Sequence, residues 1–264
     1  MRVDINCDMG ESFGVYEIGA DKEILPHVTS ANIACGFHGG DPRVMRETVA
    51  EAKAHGVSVG AHPGLPDLAG FGRRAMQLTP QEVYDLIIYQ VGALLGFTRA
   101  AEIELQHVKP HGALYNMAAA QPALADAIAR AVHDIDKRLV LYGLANSHLL
   151  AAAERAGITG ASEAFADRNY LHDGALVPRQ RPDALVTDLD EAVRRAIRMV
   201  KEGIVADVDG EELAIRADTI CIHGDGPNAA ELAQRLRRGL EAAGIEVVAP
   251  RPSLPRRSSM RVDG

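Results

Sequence analysis

The sequence predicts a parallel α/β barrel, on three observations. Short apolar or β-branched runs recur along the chain with helical patterns between them, no glycine-rich nucleotide fingerprint follows the first run, and polar residues capable of chemistry stand just past the runs. The chain has 264 residues, close to the ~250 that such barrels use around one core.

The elements follow in order. The apolar runs are residues 2–7, 30–35, 57–61, 105–108, 139–144, 219–223 and 245–248. Asp41-Pro42 opens a helix and Gly56 closes it. Thr79-Pro80-Gln81-Glu82 joins an N-cap Thr, Pro at the first helical position and Glu three after the cap, which predicts a helix from Pro80 toward Leu95. Thr187 with Asp190 predicts the cap of another helix, whose Val193, Ile197 and Val200 recur at helical spacing. Asp209-Gly210 between Ile204-Val205 and Leu213-Ala214-Ile215 reads as a hairpin, the one departure from parallel order. Asn228 leads into a last helix that Gly244 ends. These elements predict one catalytic barrel domain over residues 1–250.

Composition narrows the function classes. Hydrophobic residues make up 47% and charged residues 24%, a globular balance with no apolar run of membrane-spanning length. The first residues are strand-like and lack the apolar stretch of a secretory signal, so a cytoplasmic protein without membrane contact is expected. Cys7, Cys35 and Cys221 are far apart, with no paired spacing, and read as buried thiols rather than a disulfide framework or structural zinc site. The formal charge is -8, which disfavours nucleic acid as a partner. The tail over residues 251–264 mixes Pro, Ser and Arg with little apolar content and is expected to be disordered.

The residues that carry chemistry stand at the strand ends, which meet at one mouth in a barrel. Asp8 and Glu11 follow the first run and fit either catalysis or a capping box. Asp41 reads as a helix cap. His38, His62, His107, His111 and His223 lie in the strand-end clusters, whereas His27, His55, His133, His148 and His172 lie elsewhere and read as surface or packed residues. Lys109 in Lys109-Pro110-His111-Gly112 is placed to polarise an amide oxygen or hold a phosphoryl group, or else to pair with a carboxylate across the barrel. Arg168 suits a carboxylate ligand or a pairing with Asp167. The glycines around His38, His223 and Asp225 would let backbone amides approach a ligand.

Several of these segments, taken together, carry a resemblance. Asp4-Ile5-Asn6-Cys7-Asp8-Met9-Gly10-Glu11-Ser12, Cys35-Gly36-Phe37-His38-Gly39-Gly40-Asp41, Gly60-Ala61-His62-Pro63-Gly64, His107-Val108-Lys109-Pro110-His111-Gly112-Ala113-Leu114-Tyr115-Asn116, Glu163-Ala164-Phe165-Ala166-Asp167-Arg168 and Cys221-Ile222-His223-Gly224-Asp225 resemble, in order, the signature segments of the LamB/YcsF family. The resemblance implies a distorted barrel of seven strands, related to glycoside hydrolases and deacetylases. It also implies ATP-dependent cleavage of 5-oxo-L-proline to L-glutamate, as the A subunit of a 5-oxoprolinase with B and C subunits, using ATP with Mg²⁺. On that reading Asp8, Lys109 and His111 are catalytic. Asn6, Glu11, His38, His62, His107, Tyr115, Asn116, Glu163, Arg168, His223 and Asp225 surround the substrate, and no metal is assigned to the side chains.

Two other functions fit the same residues. One is a metal-dependent amidohydrolase or deacetylase using Asp8 with His107 and His111, although Pro110 argues against a shared helical face for the two histidines. The other is a non-catalytic subunit whose mouth binds a small acid.

Overall fold

A computed structural model of the chain describes residues 1–224, 226 and 228–251. In chain order the elements are β1 (Arg2–Met9), α1 (Asp21–Ile24), β2 (Ser30–Ala34), α2 (Pro42–His55), β3 (Ser58–His62), α3 (Pro80–Ala100), β4 (Leu105–Val108), α4 (Gly112–Ala120), α5 (Pro122–Ile135), β5 (Val140–Leu144), α6 (His148–Arg155), β6 (Thr159–Phe165), α7 (Leu189–Glu202), β7 (Ile204–Ala206), β8 (Glu212–Ala214), β9 (Thr219–His223), α8 (Ala229–Ala242) and β10 (Glu246–Val247).

Seven strands pair in parallel in the order β1, β2, β3, β4, β5, β6, β9, and β9 pairs back onto β1, so the barrel closes as the sequence predicts. Two strand assignments shift. The run at 245–248 yields only β10, which lies outside the closed barrel against Arg2 and Val3. Its expected place is taken by β6, which the sequence hides because Gly160, Ala161, Ser162 and Ala164 are small and none of them is β-branched. The hairpin around Asp209-Gly210 is present as the antiparallel pair β7–β8.

The helix signals resolve into specific hydrogen bonds. Asp41 caps α2 by accepting from the Val44 amide, and Gly56 ends that helix with a φ of 66°. Thr79 and Glu82 form the capping box of α3, which runs on through Gly96 to Ala100 rather than stopping at Leu95. The cap of α7 is Asp188, accepting from Glu191, one residue past the expected Thr187 and Asp190. Asn228 precedes α8 but makes no capping bond with its side chain.

Alternation along β1 divides the interior into two environments. Val3, Ile5, Cys7 and Met9 are buried in the apolar layer shared with the helices, while Asp4, Asn6 and Asp8 are equally buried and reach across the barrel lumen. Barrels of this kind are usually filled by bulky aliphatic layers. Here the lumen is largely polar. Asp4 at its base accepts from Thr29, Ser30, Tyr142 and Thr219 at 2.6–3.0 Å. Burial nevertheless raises the Asp4 pKa above the ordinary value, against the four hydroxyl donors.

One glycine decides how the lumen is filled. A Cβ on Gly60 would lie 2.0 Å from His107 Nε2, so the ring occupies the volume where β3 lacks a side chain. Gly60→Ala is expected to displace that ring and destabilise the fold by about 1–3 kcal/mol. A reduced urea midpoint with an unchanged slope is the expected reading, and an unchanged midpoint would contradict the packing.

Candidate active site

The lumen network rises from Asn6 to the mouth through one ammonium group. Lys109 Nζ donates to Asp8 Oδ1 at 2.9 Å, to Asn6 Oδ1 at 3.1 Å and to Cys221 Sγ at 2.9 Å, and lies 3.0 Å from Glu163 Oε1. Tyr115 donates its hydroxyl to Glu163 Oε2 at 2.6 Å, and Asn6 donates to Glu163 Oε1 at 2.9 Å. Asn32 donates to both Asn6 Oδ1 and Asp8 Oδ1. Every carboxylate and amide oxygen of this set named with Lys109 is therefore held from more than one side.

The charge states follow from burial and neighbours. Burial opposes the Lys109 cation, but Asp8, Cys221 and Glu163 outweigh it and hold its pKa well above the ordinary value. Burial likewise opposes the Asp8 carboxylate, and His62 and Lys109 outweigh it, so Asp8 stays ionised well below the usual range. Lys109 thus makes the ion pair across the barrel that its sequence offers as one reading, and does so beside the cavity.

A shelf of histidines lies above this pair. His62 Nδ1 donates to the Lys109 carbonyl at 2.8 Å, and its Nε2 lies 3.3 Å from Asp8 Oδ2. His111 Nε2 donates to the Phe71 carbonyl at 2.8 Å. His38 Nε2 meets Glu11 Oε1 at 3.1 Å, and its ring stacks on His111 with centroids 3.6 Å apart. Burial, then neighbouring rings, depress the pKa values of His38 and His111 well below the ordinary 6.5. Glycines make room again: a Cβ on Gly64 would lie 2.4 Å from His38 Nδ1, and one on Gly72 would lie 2.7 Å from His38 Cβ.

A cavity of about 330 Å³ opens on this network, near the small end of ligand pockets. Asp8, His62, Lys109 and His111 form its floor, while Tyr115, Asn116, Arg168 and His223 line it farther out. Arg168 donates to the Val177 carbonyl at 2.6 Å, and its Nε is buried with no hydrogen-bond partner. Burial, then Arg179, pushes its pKa down to about 10. His223 Nδ1 pairs with Asp167 Oδ2 at 2.8 Å, so the expected Arg168–Asp167 pairing gives way to His223–Asp167.

Most of the residues singled out by sequence therefore meet at one place, with four differences. His107 belongs to a deeper layer: its nitrogens face Asn32 Oδ1 at 2.7 Å and Gln106 Oε1 at 2.5 Å, its ring stacks on Tyr142, and it does not line the cavity. The trio Asp8, His107 and His111 is consequently not assembled, and His62 stands beside Asp8 instead. The capping-box reading of Asp8 and Glu11 also fails, because Asp8 lies within β1 and its side chain is spent on Lys109, Asn32 and His62. Gly39 is required by packing, since a Cβ there would lie 2.9 Å from the Glu11 carbonyl oxygen. Asp225 lies outside the described residues, as does the tail beyond Arg251.

Sequence reading missed Arg73, Arg179 and Gln180, which line the cavity from loops distant from any strand end. Their only signal is the doubled basic character of Arg73-Arg74 and Arg179-Gln180-Arg181.

Comparison with known proteins places the chain. The LamB/YcsF family pattern matches residues 3–254. The chain belongs to the LamB/YcsF family. It is 59% identical over 248 residues to the A subunit of 5-oxoprolinase from Bacillus subtilis, covering 94% of this chain and 96% of the relative. A protein of the same name from Tolumonas auensis is 60% identical over 248 residues, covering 94% and 99%. The crystal structure of the lactam utilization protein from Thermus thermophilus superposes with a TM-score of 0.90 at 53% identity, covering 95% of this chain and all of that one. A putative cellobiose-phosphate cleavage protein from Enterococcus faecalis shares the fold alone, at a TM-score of 0.56 and 13% identity, covering 94% of this chain and 96% of that one. No helix among the described residues is long and apolar enough to cross a membrane.

Two predictions test the electrostatics. Burial, then the Lys109 charge, pushes the His107 pKa from 6.5 down to about 3. The unfolded chain therefore takes up a proton that the folded chain refuses, and stability falls as pH drops from 6.5 toward 3. Urea midpoints followed across that window should fall more steeply for the wild type than for His107→Gln. The second concerns Lys109, whose loss strands two buried carboxylates. Lys109→Met should cost about 3–5 kcal/mol, part of which Asp8→Asn and Glu163→Gln in the same chain restore. Strictly additive losses in denaturant unfolding would show that the three groups are not coupled.

Proposed function

We propose that the chain works as the first component of an ATP-dependent 5-oxoprolinase and that its mouth binds 5-oxo-L-proline and opens the lactam to L-glutamate, together with B and C subunits. The observation that carries the reading is the buried Lys109–Asp8–Glu163 set opening on a small cavity with Arg168 and Arg179 in its wall. The names of the relatives at 59–60% identity support the same substrate.

The chemistry asks for three things. A five-membered lactam is an unreactive amide, so its oxygen must be stabilised as it gains charge, a water must be aligned on its carbon, and the ring nitrogen must take a proton as the C–N bond breaks. Lys109, held as a cation, suits the oxygen. Asp8 is an ionised acceptor that orients water; its depressed pKa makes it a weak base. His111, at the cavity floor, is neutral, so the proton that passes to the nitrogen comes from the attacking water. Arg168, with its buried unpaired Nε, suits the substrate carboxylate. ATP with Mg²⁺ would supply a phosphoryl group to the lactam oxygen; water attack and C–N cleavage would then leave a γ-glutamyl phosphate, which a second water would hydrolyse to L-glutamate and phosphate. Arg73, Arg168 and Arg179 around the cavity fit a phosphoryl or carboxylate anion, and the cytoplasm is the compartment where ATP is available.

The test is glutamate formation from 5-oxoproline, with and without ATP and Mg²⁺, by the chain alone and with its candidate B and C partners. Turnover is expected only in the assembled, ATP-supplied mixture. In that mixture Asp8→Asn and Lys109→Met should lower turnover by ~10²- to 10³-fold, and Arg168→Gln should act mainly on KM for 5-oxoproline. Near-normal turnover in Asp8→Asn and Lys109→Met would remove both roles and turn attention to His38, His62 and His223. Substrate binding without any turnover in the complex would favour the non-catalytic reading.

A further inference from the structure

The two histidines at the cavity floor present a hydrogen-bonding contradiction. His62 Nδ1 faces the Lys109 carbonyl at 2.8 Å and His111 Nε2 faces the Phe71 carbonyl at 2.8 Å. A carbonyl can only accept, so each of those nitrogens carries the hydrogen. In the neutral rings this leaves lone pairs on His62 Nε2 and His111 Nδ1, and these two atoms lie 2.9 Å apart. Two lone pairs at that distance repel unless a proton or a metal ion stands between them.

The surroundings favour a cation. Glu11 Oε1 lies 3.5 Å from His111 Nδ1, and Asp8 Oδ2 lies 3.3 Å from His62 Nε2. The donor atoms of Glu11, His38, His62 and His111 all lie within 4.8 Å of one another. Ligand atoms around a tetrahedral Zn²⁺ with bonds of about 2.0–2.1 Å stand roughly 3.3 Å apart, and the observed separations bracket that spacing. The His62 and His111 ring planes are 89° apart, so their in-plane lone pairs can converge on one point. His38 differs: its ring is parallel to His111 within 1° at a centroid distance of 3.6 Å, and parallel planes share no point. It is suited to holding Glu11.

We propose that His62 Nε2, His111 Nδ1 and Glu11 bind a divalent transition metal ion of the Zn²⁺ type, with the remaining coordination position turned toward the cavity. The backbone carbonyls of Lys109 and Phe71 are the outer-shell acceptors that fix the two tautomers. Two imidazoles and one carboxylate with an open position match the donor set of catalytic rather than structural zinc. Imidazole donors also set this ion apart from the Mg²⁺ of a nucleotide, which prefers oxygen ligands and keeps its waters. The site is independent of the lactam reading, because it rests on the geometry of His62, His111 and Glu11.

The test is metal binding by the full chain, stripped with chelator and read by equilibrium dialysis with elemental analysis. Zn²⁺ should be retained stoichiometrically in preference to Mg²⁺, and Co²⁺ should give a visible ligand-field spectrum of low coordination number. His111→Ala and Glu11→Gln should weaken Zn²⁺ by more than the ~10- to 100-fold that loss of an outer-shell partner costs, whereas His133→Ala, on a distant helix, should leave it unchanged. Circular dichroism establishes that each variant is folded. Should a variant fail to fold, ¹⁵N spectra of the wild-type imidazoles with and without Zn²⁺ carry the decision, since metal shifts one nitrogen of each ring. Absence of stoichiometric Zn²⁺ from the wild type, or retention of full affinity in folded His111→Ala, overturns the proposal. A ¹⁵N signature of one proton shared by the two rings, unmoved by Zn²⁺, would overturn it equally.

Discussion

The ammonium of Lys109 is the group on which the interior depends. It is almost wholly buried, a position that costs a lone cation many kcal/mol, and it is tolerated because Asp8, Glu163, Asn6 and Cys221 all lie within about 3 Å. Those partners come from β1, β6 and β9, while Lys109 itself follows β4. The ion therefore ties opposite walls of the barrel together, and closure of the sheet brings its counter-charges into range. A single hydrophobic replacement breaks this balance from one side, so the chemical and structural roles of Lys109 are not separable by removing it alone. For that reason the fold is not indifferent to Lys109→Met.

The vertical arrangement sorts charge from neutrality. Asp4 at the base is surrounded by hydroxyl groups with no cation among its bonded partners, and its pKa rises. Asp8, one layer below the mouth, has Lys109 and His62 beside it, and its pKa falls. The same side chain on the same strand thus takes opposite shifts within four residues, because hydroxyl donors do not compensate burial as a cation does. Above Asp8 the rings of His38 and His111 are neutral at ordinary pH. The cavity floor accordingly combines one ionised pair with donors and acceptors that carry no net charge, an arrangement suited to stabilising charge that develops during a reaction.

How much of this was legible in the sequence varied with the kind of signal. The barrel and its helix starts were readable because caps and apolar runs are local: Asp41-Pro42 and Thr79-Pro80-Gln81-Glu82 became the bonds they predict. Convergence of Asp8, His62, Lys109 and His111 was readable because strand ends of a barrel must meet. Depth was not. His107 and Lys109 are two residues apart and both point into the lumen, yet the His107 ring fills the space that Gly60 leaves below the cavity while Lys109 lines the cavity itself. Arg73 and Arg179 were hidden for another reason: they reach the cavity from loops, where no periodicity announces direction.

The least legible determinants are places where a side chain is missing. Gly60 leaves the volume that the His107 ring fills, Gly64 and Gly72 leave that of His38, and Gly112 approaches the Gly72 carbonyl so closely that a Cβ would lie 2.7 Å from its oxygen. The loop after β3 is held in turn by Gln90 of α3, whose amide both donates to and accepts from the Gly64 backbone at 2.9 Å. A helix on the outside of the barrel thereby fixes a glycine, the glycine admits a ring, and the ring stacks on His111 at the cavity floor. In sequence these positions read only as isolated glycines, because what they specify is the placement of residues from other strands. The site is thus shaped as much by the volumes that β3 and its loop leave empty as by the functional groups that occupy them.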